Sequence, residues 1–113
     1  KLMLSTLPDD ELRRFVAGMD FTRRTPNTIV TPEDYLAEIE RVRAQDWAAD
    51  REENEPTINC IGAPVRDASG TIVAAVSVSV PDVVLPFDEL LDLLEPLRAT
   101  CAAISRDCGY RPR

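Results

Sequence analysis

Small polar side chains alternate along one stretch of the sequence, and their types suit the reversible binding of a ligand. Ser77 and Ser79 lie two positions apart in a valine-rich run, and Cys60 lies in an earlier β-rich run. Since side chains alternate between the two faces of a strand, both serines share one face. Serine hydroxyls donate and accept hydrogen bonds, so the pair can hold two oxygens of a carboxylate or a diol. Asp50, when ionised, only accepts, and therefore favours a ligand hydroxyl or a hydrated carbonyl.

A β-hairpin is predicted to position these residues. Residues 57–66 and 72–80 are β-rich runs, and the turn-forming sequence at 67–70 separates them. A short strand at 47–50 is predicted before the hairpin, which would place Asp50 beside the same face. The alternative for Asp50 is an acid at the start of a loop that makes a turn hydrogen bond.

The register of the hairpin decides which of these side chains face each other. A symmetric turn places Cys60 opposite Ser77 and Gly62 opposite Ala75. One face then carries small residues with two hydroxyls and a thiol, which leaves a concavity that a ligand can fill. The other face is apolar and suited to burial under helices. A three-residue turn would flip the first strand, and a simple solvated face is the alternative to a pocket.

The remaining sequence predicts helices around this hairpin. Helices are expected at 9–17 and 32–46, and a long one runs from after Pro86 to about Asp107, kinked or divided by Pro96. The order of elements predicts an α+β fold, an antiparallel sheet with helices packed on one side. The charged residues of the second helix are expected to be solvated; they are Glu38, Glu40, Arg41 and Arg43. Replacing either Arg41 or Arg43 by Gln is therefore expected to change the free energy of unfolding by well under about 1 kcal/mol.

Composition excludes several classes of function. The 113 residues suffice for one domain, and 13 basic against 20 acidic residues give a net charge of −7. Binding to phosphate needs clustered lysine and arginine, so the chain alone is expected to bind neither nucleic acid nor anionic membranes. The absence of histidine excludes Ser-His-Asp and Cys-His catalysis as well as histidine metal sites. No metal and no cofactor are expected.

The cysteines indicate the cellular compartment of the protein, and the first residues indicate whether the chain is part of a longer one. The three cysteines, Cys60, Cys101 and Cys108, have no metal-binding spacing, and the last two are too far apart along a helix to form a disulfide. Reduced thiols indicate a cytoplasmic protein, and no run is long enough for a membrane helix. The chain begins without Met, at Lys1, and is therefore interpreted as a fragment of a longer protein.

Seven stretches match, in order and spacing, those of one known family: residues 25–29, 36–43, 50–55, 60–65, 67–70, 74–79 and 108–112. The series resembles the C-terminal effector-binding domain of IclR-type bacterial transcription regulators, over nearly all of residues 1–113. The resemblance implies a fold related to GAF and PAS sensor domains, with helices against one face of the sheet and a small-molecule pocket on the other. It also implies that the DNA-binding winged helix and about the first half of the effector domain are absent from this chain.

The resemblance further implies a site and partners. The polar effector contacts of the family fall on Asp50, Cys60, Ser77 and Ser79. The expected effector is a small hydroxy- or keto-acid, or a hydroxylated aromatic acid. DNA would be bound only through the missing N-terminal domain, by a homodimer or homotetramer, with no membrane partner.

Three functions from different classes remain at this point. The leading one is the ligand-sensing part of a transcription regulator, which is not an enzyme. The second is a GAF-like dimerisation module that binds no ligand, because small strand residues also serve close packing. The third is an enzyme that uses Cys60 as a nucleophile or redox thiol, although the sequence offers neither an activating base nor a resolving cysteine in the sheet.

Overall fold

A three-stranded antiparallel sheet forms the centre of the molecule, with helices before and after it. The computed structural model describes residues 1–112. A short 3-10 turn at Leu4–Thr6 precedes the first helix. The elements are α1 (Asp9–Ala17), α2 (Pro32–Gln45), β1 (Ala48–Arg51), β2 (Ile58–Arg66), β3 (Ile72–Pro81), α3 (Phe87–Leu91) and α4 (Leu94–Asp107).

Local sequence explains where α2 begins and ends. The Thr31 hydroxyl caps the helix by accepting the Asp34 N–H at 3.2 Å, and Pro32 occupies the first turn, where no N–H is needed. At the other end Asp46 takes the left-handed conformation with φ 64°, and its N–H donates to the Val42 carbonyl at 2.8 Å. The predicted helix at 32–46 is confirmed.

The long helix predicted after Pro86 is divided into two, as its proline suggested. Helix α3 ends at Leu91, and α4 begins at Leu94. Pro96 lies in the first turn of α4, where its missing N–H leaves no helical hydrogen bond unmade. The break therefore comes just before the proline.

The sheet has the order β1-β2-β3, and its observed register corrects the predicted one. Cys60 pairs with Ser79 and Gly62 with Ser77, so the predicted pairings Cys60–Ser77 and Gly62–Ala75 are wrong by two positions. The first cause is the turn: Arg66 pairs with Ile72, so the turn is longer than the predicted symmetric one. The second cause is a shift in the pairing register between Val65 and Arg66, next to the turn. Because the displacement is an even number of residues, each side chain stays on its predicted face.

Helices α3 and α4 pack on one face of the sheet, as predicted. The face is made by Ile61, Ala63 and Val65 of β2, and Leu90 and Cys101 of the two helices are buried against it. Strand β3 adds Val76, Val78 and Val80 to this core. A continuous hydrophobic cluster thus holds the central strand β2 against α3 and α4, and the opposite face of the strand is left for other contacts.

A second group of elements joins the sheet at β1. Helices α1 and α2 share a small core, and Val42 of α2 packs with Leu2 and Ala48. Ala48 is the first residue of β1, so this contact ties α2 and the amino-terminal segment to the edge of the sheet.

The expectation that all charges of α2 are solvated is wrong for two of them. The Glu38 and Arg43 side chains are only 15% and 26% exposed. The amino-terminal segment lies beside α2, and its Lys1 ammonium reaches Glu38 while its carbonyls at Ser5 and Leu7 accept from Arg43. Both contacts join residues more than thirty positions apart, which helix periodicity does not reveal.

Candidate functional site

A cavity of about 270 Å³ opens on the face of the sheet opposite α4. Its walls come from all three strands and from the amino-terminal segment. Three of the four predicted ligand contacts, Asp50, Cys60 and Ser77, line it together. The fourth, Ser79, is not among the lining residues but lies directly across the strand pair from Cys60.

Small residues make the floor of this cavity. Gly62, on the central strand, pairs with Ala48 on one side and Ser77 on the other. A Cβ at Gly62 would lie 3.4 Å from Leu2 Cδ1 and 3.9 Å from Ser77 Cβ, so any larger side chain would occupy the space directly in front of the serine. Ala75 continues the floor along β3. The sequence-based expectation of a concavity of small residues matches this geometry.

The two serines are not equivalent. Ser79 Oγ lies 2.8 Å from Cys60 Sγ, so this hydroxyl and the thiol form a hydrogen bond. Ser77 is exposed, and within residues 1–112 no hydrogen bond is made by its hydroxyl. The free donor and acceptor of the site is therefore Ser77, with the Cys60–Ser79 pair beside it.

Asp50 combines both of the roles that its sequence position suggested. Its Oδ1 accepts the N–H of Glu53 at 2.8 Å, which is the turn hydrogen bond expected of an acid that begins a loop. At the same time it pairs with Cys60 across the β1–β2 ladder and lines the cavity. The turn bond orients the carboxylate, while its remaining oxygen lone pairs can accept from a ligand.

Lys1 also lines the cavity, although sequence patterns did not point to it. Its Nζ donates to Glu38 at 2.7 Å, to the Ala49 carbonyl at 2.7 Å and to Glu53 at 2.9 Å. Burial by itself would lower the pKa of Lys1. The hydrogen bonds and charges of the two glutamates raise it by more than burial lowers it, so the pKa of Lys1 is raised overall. The Lys1 ammonium is thus paired with two carboxylates outside the lining, and the lining itself carries one positive and one negative side chain, Lys1 and Asp50.

The polar side chains of the cavity are suited to hydrogen bonding with a ligand. Cys60 has a neutral hydroxyl as its partner, and the chain contains no histidine that could activate the thiol. Residues 1–112 contain no cluster of three or more potential metal ligands. Among the same residues, none of the helices is long and apolar enough to span a bilayer.

The fold and this cavity together match one protein family. The family model described as Bacterial transcriptional regulator IclR C-terminal matches residues 1–106. The chain belongs to this family. The relatives that it matches are transcription regulators, and the chain spans 42% and 41% of the length of two of them.

Individual relatives support the assignment to the IclR C-terminal family. The HTH-type transcriptional repressor AllR of Salmonella typhi is 35% identical over 112 residues, which cover 99% of this chain and 41% of AllR. The crystal structure of Thermotoga maritima IclR superposes with a TM-score of 0.83 at 33% identity, covering 96% of this chain and 44% of that one.

A second similar structure was solved with a ligand. It is a double mutant of the inducer-binding domain of the PobR transcription factor from Acinetobacter, in complex with 3-hydroxybenzoic acid. Its TM-score is 0.85 at 27% identity, covering 92% of this chain and 60% of that one. The likeness confirms the α+β fold, an antiparallel sheet with helices, that the sequence predicted.

Proposed function

We propose that this chain is the ligand-sensing part of a transcription regulator, and that an effector in the 270 Å³ cavity changes how the whole protein binds its operator. The observation that carries the proposal is the convergence of Asp50, Cys60 and Ser77 on one cavity, on the sheet face that α3 and α4 leave free. Preformed cavities with a few convergent polar groups are typical of small-molecule sites.

The polar groups favour an effector that carries a hydroxyl or keto oxygen. The Ser77 hydroxyl is free to donate to such an oxygen, and Asp50 accepts from a ligand hydroxyl. The ionised Asp50 opposes a ligand carboxylate at its end of the cavity, and the Lys1 ammonium is already paired with Glu38 and Glu53. A small hydroxy- or keto-acid, or a hydroxylated aromatic acid, therefore binds with its hydroxyl or carbonyl toward Asp50 and its carboxylate away from it.

The contacts with Asp50, Cys60, Ser77 and Ser79 are part of this proposal. In support, the PobR domain was crystallised with a hydroxylated aromatic acid. The Cys60–Ser79 hydrogen bond supports a place for Ser79 just behind the ligand-facing thiol.

The other properties of the whole protein follow from its class. DNA binding belongs to a winged-helix region outside these 113 residues, which carry a net charge of −7. We propose a cytoplasmic homodimer or homotetramer that needs no metal or cofactor and catalyses no reaction.

The test measures ligand and DNA binding in the full-length protein. 3-Hydroxybenzoate, lactate and pyruvate are titrated while the unfolding temperature is followed, because a ligand that binds only the folded state raises it. The acid that binds should also change the affinity for the protein's own upstream DNA at least about tenfold, which is a coupling of about 1.4 kcal/mol. Binding by none of the three acids, with unchanged DNA affinity, would contradict the proposal and favour a dimerisation module.

A further inference from the structure

A second cavity, of about 390 Å³, lies on the opposite side of the sheet from the proposed effector site. Strand β1 stops pairing with β2 at Gly62, whereas β2 continues to Arg66. The uncovered end of β2 and the side of α4 enclose the cavity, and Asp46 closes one end of it. Its volume is within the range of small-molecule sites.

The floor of this second cavity is apolar. Pro64 lies on the uncovered part of β2, and as a proline it presents no N–H that would need a partner there. The N–H of Arg66, next along the same edge, donates to Ser105 Oγ of α4 at 2.9 Å. Ala99 and Ala102 of α4 complete the floor without any polar group. A ligand's apolar part can therefore lie on this floor without displacing a hydrogen bond.

Three arginines form the rim, and one of them is held rigidly. Arg66 donates to both carboxylate oxygens of Asp46, at 2.6 and 3.0 Å. Asp46 is itself fixed by its left-handed position at the end of α2. Since a guanidinium has five N–H donors, the two taken by Asp46 leave others for a ligand.

The other two arginines are weakly paired. Arg98 is no nearer than 3.9 Å to Glu95, and within residues 1–112 Arg106 has no carboxylate within ion-pair distance. Three positive and two negative side chains thus line the cavity, in a chain whose net charge is −7. The lining of the effector cavity instead carries one positive and one negative side chain, Lys1 and Asp50.

We infer that this second cavity is a binding site for a small amphiphilic anion, such as an aromatic carboxylate. The apolar body of the ligand lies on Pro64, Ala99 and Ala102, and its carboxylate is held by Arg98 and Arg106 beside the fixed Arg66 guanidinium. Arginine is suited to this role because its planar donors match a carboxylate. The site lies across the sheet from the effector cavity, so both can be occupied at once.

Equilibrium dialysis of radiolabelled benzoate against the full-length protein tests this site, with benzamide as the neutral competitor. Ala102→Leu fills the floor of the cavity, and Ala103→Leu makes the same change one residue along α4, outside the lining. Both positions are exposed, so the fold tolerates either change. We expect Ala102→Leu to remove one class of bound benzoate and Ala103→Leu to retain it.

The charge requirement has its own matched pair of variants. Arg98→Gln combined with Arg106→Gln should weaken benzoate binding at this site about tenfold, the usual scale for hydrogen bonds to a charged group. Arg13→Gln is the control, since Arg13 also has an acidic partner at 3.9 Å on an exposed helix face. Benzamide should compete at least about tenfold less well than unlabelled benzoate.

Two results would overturn the inference. One is equal benzoate binding by the Ala102→Leu and Ala103→Leu proteins, and the other is benzamide competing as well as benzoate. Benzoate that enters the effector cavity is recognised separately by Ser77→Val, because Ser77 lines that cavity and belongs neither to the lining of the α4 site nor to the cross-strand partners of that lining. A failure here is therefore distinct from a failure of the proposed effector site.

Discussion

Cys60 and Ser79 are direct partners across the central strand pair, with their sulfur and oxygen 2.8 Å apart. This contact occupies the Ser79 hydroxyl with a protein group, whereas the Ser77 hydroxyl two residues earlier faces the cavity. Ligand binding at Ser79 therefore exchanges one hydrogen bond for another, and binding at Ser77 makes a new one.

Ser79→Ala should consequently have a small effect on effector binding. The substitution removes a hydroxyl that is already hydrogen-bonded to Cys60, so we expect affinity to fall by about 0.5 kcal/mol, or roughly twofold. Isothermal titration of the full-length protein with its effector measures the change. A loss greater than that caused by removing the Ser77 hydroxyl would show that the thiol–hydroxyl pair opens toward the ligand.

Two neighbouring alanines of β3 test the shape of the cavity. Ala75 lines it, while Ala74 points to the other face and pairs with Val65. Ala75→Val should lower effector affinity by about 1–2 kcal/mol because two methyl groups enter the binding space. Ala74→Val should leave affinity unchanged. Both positions are exposed, so denaturation midpoints should remain close to that of the parent protein.

The two arginines of α2 are expected to differ in their contribution to stability. Arg43 donates to the Ser5 and Leu7 carbonyls at 3.1 and 2.6 Å, besides its ion pairs with Asp9 and Glu40. Arg43→Gln should lower the free energy of unfolding by about 1 kcal/mol, since it removes the guanidinium that donates to both carbonyls of the amino-terminal segment.

Arg41 is the matched control for that substitution. Its side chain is 69% exposed and lies 3.3 Å from Glu38, a contact that solvent screens. Arg41→Gln should change the free energy of unfolding by less than about 0.5 kcal/mol. Urea denaturation of both variants measures the difference, and equal effects would mean that the carbonyl contacts of Arg43 add nothing.

Cys101 should be the least reactive of the three thiols. It is 2% exposed, and burial raises the pKa of its thiol above the usual value. A disulfide-exchange reagent at pH 7.5 should therefore label the exposed Cys108 and leave Cys101 unlabelled until the protein unfolds. Mass mapping of the labelled peptides identifies each site.

The same burial gives a pH dependence of stability. The pKa of the Cys101 thiol is higher in the folded protein than in the unfolded chain. Its contribution to the free energy of unfolding is therefore fully present below the usual thiol pKa and is lost as the pH rises through the pKa of the folded state. The decrease in unfolding free energy between pH 7.5 and 10 should be smaller in Cys101→Ala than in the parent protein. An identical decrease in both would exclude this thiol as a cause.

The faces of the hairpin could be predicted from sequence, but its register could not. Alternation along a strand is a property of the backbone, so Ser77 and Ser79 share a face whatever the turn. Cys60 shares that face only because the observed register differs from the predicted one by an even number of residues. Which residue lies opposite which depends on turn length and on the register shift near Val65, and a turn sequence allows several lengths. The error of two positions left the faces unchanged and altered only the partners of Cys60 and Gly62.

Contacts between distant charged residues could not be predicted either. Lys1 meets Glu38 and Glu53 from positions 37 and 52 residues away. Each residue alone looks like a solvated surface charge, because helix and loop patterns record only local neighbours. The wall that the amino-terminal segment contributes to the cavity could not be predicted, because it depends on how that segment packs against α2 and β1.

The assignment of faces has a decisive test in two adjacent residues of β3. Ser77 lines the cavity, and Val76 packs against the core under α3 and α4. Ser77→Val replaces the hydroxyl by a methyl group and adds a second one, and it should lower effector affinity by about 1–3 kcal/mol, since a ligand oxygen is left without its partner. Val76→Ser should instead lower the free energy of unfolding by about 1–3 kcal/mol, because it places an unpaired hydroxyl in apolar surroundings.

Each of these two variants is the control for the other. The full-length protein is used, with effector titration and urea denaturation applied to both, so that a loss of binding is separated from a loss of folding. If Ser77→Val unfolds the domain while Val76→Ser retains stability and loses affinity, then the faces are reversed. In that case Ser77 would belong to the core, and Asp50 and Cys60, which share its face, would lose their place in the effector site.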